Sequence, residues 1–340
     1  ALPEPGRIRE LLTYVSQEHS ALLDRAKPLW ECHLIEGIEG NRFALYFKMH
    51  HAVIDGIAGM RIAQKSLSSD PTTKAVTPLW AIKRDKRSKE EAKALANFAE
   101  TINRLRHQAT SVPKVAKELY QAIKASYDKD PDYVSVFQAP RSILNQRVSG
   151  SRRFAAQSYS LPRIKAIGKK LGITLNDVVM AMCAGALRTY LLDLNALPTK
   201  PLIAMVPMSL RRDDSDSGNQ ITMILANLGT HLADPLARAD IIHRSVQNAK
   251  DRFCRMTQSE IMAYSALVYS ICGLNLLTGI APKLQAFNVV ISNVPGPKEP
   301  MYWNGALLDG FYPVSIVLDG MALNITLTSY VDRLEFGLIA

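Results

Sequence analysis

The stretch KMHHAVIDGIAGM, residues 48–60, decides which fold and which chemistry the sequence predicts. It begins at the end of RFALYFKM, residues 42–49, where apolar side chains alternate with other residues as they do in a β-strand. From Asp55 onward the pattern becomes helical, and Asp55 is placed to cap the first turn. The adjacent histidines His50 and His51 therefore lie where a strand meets a helix.

Three interpretations of this histidine pair are open from the residues alone. A histidine fixed at a strand end suits general-base catalysis, because the ordinary pKa of imidazole is the closest of all side chains to neutrality. If the strand continued through the pair, His50 and His51 would point to opposite faces and only one would be the base. A metal site would use His51 and Asp55, but no third or fourth ligand has a matching spacing. In the third interpretation both histidines have only a structural role, as polar groups at a strand end whose hydrogen bonds are satisfied.

Length, composition and charge narrow the class of protein. A chain of 340 residues predicts two packed domains, and 47% hydrophobic with 21% charged residues is ordinary for a globular protein. The formal charge of +10 suggests an anionic partner such as nucleic acid, a negative membrane surface or a phosphate-bearing ligand. Basic residues are densest between Lys83 and Lys124. This stretch is either the solvated face of a helix or a dedicated site for an anion. Nucleic-acid binding has only this charge in its favour, because no helix-turn-helix, zinc-finger or RNA-stacking signature is present.

The cysteine spacing and one uncharged segment indicate in which cellular compartment the protein is expected. The cysteines have no C-x-x-C spacing, which argues against a disulfide framework or zinc ribbon and favours a reducing cytoplasm; they are Cys32, Cys183, Cys254 and Cys272. Residues 261–282 carry no charge and are nearly long enough to span a bilayer. They predict a buried helix or tunnel wall, an interfacial contact or a membrane span, and a protein that is soluble or peripheral.

The periodicity predicts two α/β lobes joined by a basic helical connector. The first lobe comprises residues 1–81, the connector 82–139 and the second lobe 140–340. Helices are expected from residue 7 to 23, after Asp55, and at LPRIKAIGKKLG, LNDVVMAMCAGALRTYLLD and from Pro235 to about Phe253. Strands are expected at RFALYFKM, RRFAAQSYSL, LIAMVPMSL, ITMILANLG, AFNVVISNV, GFYPVSIVL, ALNITLTSYV and LEFGLIA.

Several motifs carry a family resemblance. Residues 50–56, HHAVIDG, match the HHxxxDG motif of the CoA-dependent acyltransferase superfamily. PLWE at residues 28–31, LNQRVSGSRRFA from Leu144, LND at 175–177, SNVPGP at 292–297 and LNITLTSY at 323–330 follow in the order seen in one of its families. Over nearly its whole length the sequence therefore resembles the bacterial wax ester synthase/acyl-CoA:diacylglycerol acyltransferases.

The resemblance implies a fold and an activity. It implies an α/β (α+β) fold of two CoA-dependent-acyltransferase-like lobes, each a mixed β-sheet flanked by helices, with the active site in a tunnel at their interface. It implies transfer of a long-chain acyl group from acyl-CoA to a fatty alcohol or diacylglycerol, giving wax esters or triacylglycerol. His51 would be the general base within a ternary complex, and protonated His51 would then neutralise the CoA thiolate. No serine lies in a G-x-S-x-G elbow and no cysteine lies in a matched motif, so a covalent intermediate has no obvious carrier.

The resemblance also gives roles to neighbours of the base. His50 would support it by orienting its neighbour or binding a backbone carbonyl, and a merely packed histidine is the alternative. Asp55 would form a structural ion pair, with Arg211 as the candidate partner and Arg212 or an upstream residue as alternatives. Gly56 would permit a backbone conformation or a close approach that a Cβ would hinder.

Other matched positions would contact substrate. Asn176 would donate its amide N–H to the tetrahedral oxyanion, or it is simply the N-cap of a helix that begins at Asp177. Asp177 belongs to the same structural motif. Pro28, Leu29 and Trp30 would line the acyl or alcohol channel, for which a core tryptophan is the alternative.

The sequence also offers two candidate arginines for binding CoA and suggests which molecules the protein binds. Arg152 and Arg153 would contact the CoA phosphates, or they form a solvated strand edge. We expect no metal and no cofactor other than acyl-CoA as substrate. The expected partners are acyl-CoA, the alcohol or diacylglycerol and, peripherally, the inner membrane or lipid inclusions, with no nucleic acid, in the cytoplasm.

Alternative functions remain at this point. One is condensation of carrier-bound acyl groups, although no carrier domain accompanies the motif. Others are a catalytically inert protein that coats lipid inclusions and a nucleic-acid-binding protein. The family usually has additional residues before the position that matches Ala1 and a helix after the position that matches Ala340.

Overall fold

The computed structural model describes residues 1–54, 56–82, 132–136, 138–209, 221–256, 261, 264, 265, 268 and 285–340. Almost all of the predicted connector at 82–139 lies outside these described residues. The same holds for Asp55, for Arg211 and Arg212, and for most of the uncharged segment at 261–282. The predictions made for them therefore stay predictions.

The described elements alternate between helix and strand. The helices are α1 (Ile8–Ser20), α2 (Gly56–Lys65), α3 (Leu161–Leu171), α4 (Leu175–Asp193) and α5 (Pro235–Arg255). The strands are β1 (Trp30–Ile38), β2 (Arg42–Met49), β3 (Phe154–Ser160), β4 (Ile203–Ser209), β5 (Ile221–Asn227), β6 (Val289–Val294), β7 (Tyr302–Trp303), β8 (Ala306–Leu307), β9 (Asn324–Tyr330) and β10 (Arg333–Ile339). Single turns of 3₁₀-helix occur at Leu79–Ala81 and Ile143–Asn145. The predicted mixed α/β class is confirmed.

Most of the predicted elements are confirmed, but one predicted strand does not form, and the strands β1, β7 and β8 were not predicted. GFYPVSIVL, residues 310–318, forms no strand; it contributes only an isolated bridge between Leu318 and Met321. Pro313 in this stretch lacks the N–H that a ladder needs. The longest of the unpredicted strands is β1. It pairs antiparallel with β2, and the register shifts between Ile35 and Ile38, so its period of two is broken by a bulge.

The described chain divides into two compact units. Unit 1 comprises residues 1–82, 147–166 and 292–340, and unit 2 comprises residues 83–146 and 167–291. The units are interleaved along the chain, whereas the predicted lobes were contiguous stretches. The assignment of lobes to 1–81 and 140–340 stays a prediction.

The hydrophobic core of unit 1 is formed by residues from distant segments of the chain. The β1–β2 hairpin pairs Trp30 with Met49, and β10 pairs antiparallel with both β3 and β9. The predicted alternation in β2 is confirmed, but Tyr46 is buried while Phe43 and Leu45 are exposed. The buried cluster consists of Leu2, Val15, Ile35, Ile38, Tyr46, Phe154, Val317 and Ile339.

Unit 2 contains α4, α5 and two strands that pair antiparallel, β4 and β5. β4 also pairs parallel with the start of β6, where Ala204 lies opposite Val289. Side chains with almost no exposure come from the helices and the strands alike, among them Leu191, Ile203, Leu225, Ile242 and Phe253. Buried apolar side chains of this size each stabilise the fold by about 1.5–3 kcal/mol.

A membrane-spanning helix must be both long enough and apolar enough to cross the bilayer. No individual helix in the described ranges meets both criteria. The consecutive helices α3 and α4 meet them together, but they are bent by 102° at their junction.

Candidate functional site

The predicted junction of strand and helix lies between β2 and α2. β2 ends at Met49, one residue before the histidine pair. The backbone N–H of His50 donates to the carbonyl of Leu29 at 3.0 Å, and the N–H of Val53 donates to the His50 carbonyl at 2.9 Å. The Nδ1 atom of His50 accepts from the N–H of Ala52 at 3.2 Å. His50 Nδ1 therefore helps to fix the turn as an acceptor from the backbone, and the predicted contact of His50 with a backbone carbonyl stays a prediction.

His51 occupies the turn itself and is exposed. Because the strand has already ended, the alternation of faces that would separate the two histidines does not apply to them. In the part of unit 1 that is described, His51 is the ring that this junction leaves open to solvent while its neighbour is engaged by the backbone. A reagent can therefore reach its imidazole.

A buried lysine ties the hairpin to α1. Lys48 precedes the pair by two residues, and its ammonium donates to the carbonyl oxygens of Glu18 at 2.8 Å and Ala21 at 2.5 Å. These carbonyls lie at the C-terminal end of α1, where a helix presents unpaired acceptors and its negative dipole end. The Lys48 side chain is only 9% exposed. It thereby helps to fix the strand end that carries His51.

His19 links three segments of unit 1. Its Nε2 donates to the carbonyl of Ser315 at 2.8 Å, so its Nδ1 accepts from the hydroxyl of Tyr46 at 2.9 Å when the ring is neutral. Burial lowers the pKa of His19 below its usual value, and the charges of Lys48 and Arg152 act in the same direction. Burial therefore favours the neutral form of His19, which acts as a structural group that joins α1, β2 and the segment around Ser315.

The PLW stretch that begins at Pro28 lies beside the histidine pair. The Leu29 carbonyl accepts from His50, and Trp30 is paired with Met49. The Trp30 ring stacks on Phe47, with centroids 5.8 Å apart, and on Trp80 at 5.5 Å. Sequence analysis gave Trp80 no role, although it lies in a second PLW stretch. Trp80 is 60% exposed and covers one face of Trp30.

Two glycines of the matched motifs differ in what they require. A Cβ at Gly56 would meet Val294 Cγ2 at 3.9 Å, an ordinary contact, so packing among the described residues does not itself demand glycine there. A Cβ at Gly296 would lie 2.1 Å from the Ser329 carbonyl oxygen. The SNVPGP and LNITLTSY stretches therefore pack directly on each other, and Thr328 Oγ1 also donates to the Val294 carbonyl at 2.7 Å.

The LND stretch lies at the start of α4 in unit 2. Thr174 is the N-cap, so the helix begins at Leu175 and the alternative that Asn176 is the cap is wrong. Thr174 Oγ1 accepts from the Asp177 N–H at 3.3 Å, and Asp177 Oδ2 accepts from the Thr174 N–H at 2.9 Å. This reciprocal capping box leaves Asn176 exposed on the first turn.

The two candidate arginines have different surroundings. Arg152 donates to the carbonyl oxygens of Ser149 at 2.5 Å and Ser151 at 2.8 Å, so its guanidinium is engaged locally. Arg153 lines an open cleft of about 690 Å³, a volume that includes its solvent-filled mouth. The cleft is lined by Arg9, Leu12, Thr13, Ser16, Arg153 and Phe154. Two of the residues that line it, Arg9 and Arg153, are arginines.

The described ranges bring together no group of three or more His, Cys, Asp or Glu side chains with the geometry to hold a metal ion. Asp55, the second ligand of the metal alternative, lies outside the described residues.

Two buried polar pairs were not found by sequence analysis. Asn145 and Asn288 are both fully buried, and Asn288 Nδ2 donates to Asn145 Oδ1 at 2.7 Å. The Nδ1 atom of His243, on α5, lies 2.8 Å from Asp177 Oδ2. The partners are 143 and 66 positions apart in sequence, so no local pattern signals either contact.

Comparison with known proteins was made with family models and with single proteins. The model for the wax ester synthase/diacylglycerol acyltransferase catalytic domain matches residues 1–179, and the model for the C-terminal domain of the same family matches residues 217–340. The chain is 62% identical to the O-acyltransferase WSD of Acinetobacter baylyi, covering 100% of this chain and 74% of that protein. It is 45% identical to a putative diacylglycerol O-acyltransferase of Mycobacterium tuberculosis, covering 100% and 75%.

A solved structure gives the same answer for the fold. The wax ester synthase/diacylglycerol acyltransferase from Marinobacter aquaeolei VT8 superposes with a TM-score of 0.73 at 47% identity, covering 100% of this chain and 72% of that one. Together with the two family models, this similarity confirms the predicted family. The chain belongs to the wax ester synthase/diacylglycerol acyltransferase family, and it is an acyltransferase.

Proposed function

We propose that the chain transfers a long-chain acyl group from acyl-CoA to a fatty alcohol or diacylglycerol, with His51 as the general base. The observation that carries the proposal is the exposed imidazole in the HHxxxDG turn, next to a histidine that the backbone engages. The family relationship and the names of its relatives support the substrates.

The reaction balances without a covalent enzyme intermediate. A ring nitrogen of His51 takes the proton of the acceptor hydroxyl, and the oxygen attacks the thioester carbonyl carbon. The tetrahedral intermediate expels the CoA thiolate as its C–S bond breaks, and the thiolate takes the proton back from the imidazolium. The products are an ester and free CoA. General-base catalysis of this kind typically contributes about a hundred- to ten-thousandfold.

We assign to Asn176 the role of stabilising the oxyanion of the tetrahedral intermediate. Its side chain is exposed on the first turn of α4, where backbone and side-chain N–H groups and the positive end of the helix dipole favour negative charge. A preorganised amide donor of this kind contributes about 3–4 kcal/mol to the stability of a transition state.

We assign the CoA phosphates to the cleft that Arg9 and Arg153 line. Guanidinium groups bind phosphate oxygens through paired N–H donors, and Arg9 and Arg153 both line this cleft. Arg152 is the weaker candidate because the Ser149 and Ser151 carbonyls already accept from it.

The acyl or alcohol channel is assigned to the PLW stretch. The Leu29 carbonyl accepts from the His50 N–H, Trp30 is paired with Met49, and Trp80 extends the aromatic surface. An apolar wall at that place suits an alkyl chain whose reactive end must reach His51.

We further propose that the protein is cytoplasmic and binds peripherally to the inner membrane or to lipid inclusions. The formal charge of +10 supports this, because each Lys or Arg close to an anionic lipid surface contributes about 1 kcal/mol of attraction. Flotation with vesicles that contain anionic lipid, and no flotation with neutral vesicles, is the expected result.

The activity is tested by acceptor-dependent release of CoA. The protein is incubated with palmitoyl-CoA and either hexadecanol or a diacylglycerol, free thiol is followed with a disulfide reagent, and the ester is identified by chromatography. Exposed Cys32 and Cys254 contribute a constant background that the blank without acceptor removes. Burial raises the pKa of Cys183 to about 12, so that thiol stays unreactive. Thiol release that is independent of acceptor, with no ester formed, would refute the proposal.

A further inference from the structure

The start of α4 is held by a carboxylate that lies completely inside unit 2. Asp177 has no exposed surface, and its Oδ2 accepts from the Thr174 N–H at 2.9 Å within the capping box. Its Oδ1 is also buried and has no hydrogen-bond partner among the residues that the structure describes. The negative charge of this side chain is therefore compensated through one oxygen.

The second donor to that oxygen comes from another helix. His243 projects from α5, and its Nδ1 lies 2.8 Å from Asp177 Oδ2. A carboxylate oxygen only accepts, so Nδ1 carries the hydrogen in this contact. The His243 side chain is 27% exposed, whereas Asp177 is not exposed at all. The contact joins α5 to the first turn of α4 through a polar group that burial makes costly to leave unpaired.

The geometry points to His243 as a positioning residue for the acyl transfer. This inference rests on the proposed role of Asn176, which precedes Asp177 and shares its helical turn. His243 holds the Asp177 carboxylate, the carboxylate holds the Thr174 backbone, and these two anchors fix the direction in which the first turn presents Asn176. His243 does not touch substrate in this scheme.

The expected effect of losing the contact is on the chemical step. Without the Nδ1 donor the buried carboxylate keeps, among the described residues, the Thr174 N–H alone, and the turn shifts to bring it another partner. A displacement of about 1 Å of a group that stabilises a transition state lowers the rate by up to about a hundredfold. Binding of acyl-CoA elsewhere on the protein is unaffected, so kcat falls while KM stays close to its original value.

The test uses two substitutions at one position. His243→Leu removes the donor, whereas His243→Asn places an amide N–H close to where Nδ1 was. We expect kcat to fall about tenfold or more in His243→Leu, with KM for palmitoyl-CoA within about twofold, and we expect His243→Asn to regain most of the rate. His231→Leu, which removes an exposed histidine from the turn before α5, is the matched control and should keep its kcat.

A double-mutant cycle separates this inference from the proposed function. If His243 acts through Asn176, the combined variant His243→Leu, Asn176→Ala is no slower than Asn176→Ala alone. Additive losses in kcat, or an Asn variant as slow as the Leu variant, would overturn the positioning role while leaving Asn176 in place. Full activity of Asn176→Ala in an otherwise active enzyme would instead remove the oxyanion assignment itself.

Discussion

The indole rings of Trp30 and Trp80 are stacked, with their centroids 5.5 Å apart and their planes inclined by only 4°. Trp30 opens β1 beside the histidine junction, and Trp80 lies in the 3₁₀ turn at Leu79–Ala81. Each tryptophan follows a Pro-Leu pair, so the two PLW stretches of the sequence meet in unit 1. The second stretch thus completes the aromatic surface that the first begins.

The stacked pair should show a measurable coupling in stability. We expect Trp30→Ala and Trp80→Ala to be non-additive in the free energy of unfolding by about 0.5–1.5 kcal/mol, because an aromatic pair contributes that much beyond the area it buries. Urea denaturation of the two single variants and the double variant measures it. The cycle of Trp30→Ala with Trp303→Ala is the control, since Trp303 contacts Phe43 instead. A coupling of zero between Trp30 and Trp80 would contradict the prediction.

The general base is tested by replacing His51. We expect His51→Ala to lose about a hundred- to ten-thousandfold in kcat, the usual contribution of general-base catalysis, and to keep its melting temperature because the ring is exposed. CoA release and thermal unfolding are measured on the same preparation. His231→Ala, at another exposed histidine, should retain full activity. A folded His51→Ala protein with undiminished turnover would rule out the base assigned here.

Phosphate binding by the cleft predicts a selective change in KM. We expect Arg153→Ala to raise KM for palmitoyl-CoA about tenfold, with kcat unchanged, because a lost charge-assisted hydrogen bond costs about 1.5–3 kcal/mol. Arg9→Ala should act in the same way, whereas Arg152→Ala should raise KM less than either, because local carbonyls already accept from its guanidinium.

The specificity of this effect is checked with a second substrate. Palmitoyl-pantetheine has the same thioester but lacks the nucleotide phosphates, so its KM should be equal for the wild type and for Arg153→Ala. An equal loss with both thioesters would show that Arg153 acts on the fold of the cleft and not on phosphate.

The buried asparagine pair should be a major contributor to the stability of unit 2. Asn288 accepts from the Ile203 N–H at 2.8 Å and donates to both the Pro140 carbonyl and Asn145 Oδ1 at 2.7 Å. We expect Asn288→Ala to lower the free energy of unfolding by at least about 2 kcal/mol, because several buried polar groups lose their partner at once. Urea midpoints measure this change. Asn248→Ala, at a half-buried position on α5, should change stability by less than about 0.5 kcal/mol.

His19 predicts a pH dependence of stability. Its pKa in the folded protein lies below the value of about 6.5 expected for the unfolded chain, so the unfolded state binds the proton first as the pH falls. The free energy of unfolding should therefore decrease below about pH 6.5, and the decrease should be smaller in His19→Gln. Tyr46→Phe keeps the titrating ring and should keep the slope while lowering stability at every pH. Equal slopes in wild type and His19→Gln would exclude this histidine as the cause.

Local patterns were sufficient for elements whose signals are local. The helix at α4 was predicted from its apolar periodicity, and the structure has the same bounds, Leu175–Asp193. β2 followed from alternation over residues 42–49. The pattern could not say which row of β2 is buried, because that depends on what packs against the hairpin. Tyr46 is buried there by the His19 contact and the core of unit 1, neither of which is encoded nearby.

Contacts between distant parts of the chain explain why some structural elements and contacts were not predicted from the sequence or were predicted wrongly. The β1 strand alternates from Trp30 to Leu34, and then a bulge near Ile35 breaks the period, so the pattern reads as irregular. The stretch around Pro313 has the composition of a strand, but the Pro313 carbonyl comes so close to Gly337 that only a residue without Cβ fits opposite it. The Asp177–His243 contact joins two helices that each look complete by themselves.

The interleaving of unit 1 also has a consequence during synthesis on the ribosome. The segment that carries His51 emerges long before β9 and β10, yet Ile339 lies in the same buried cluster as Leu2 and Tyr46. The N-terminal part of unit 1 therefore keeps apolar surface exposed to solvent while unit 2 is being translated. Such long-range closure slows folding and exposes a nascent chain to aggregation, so we expect this protein to depend on chaperones that shield emerging chains.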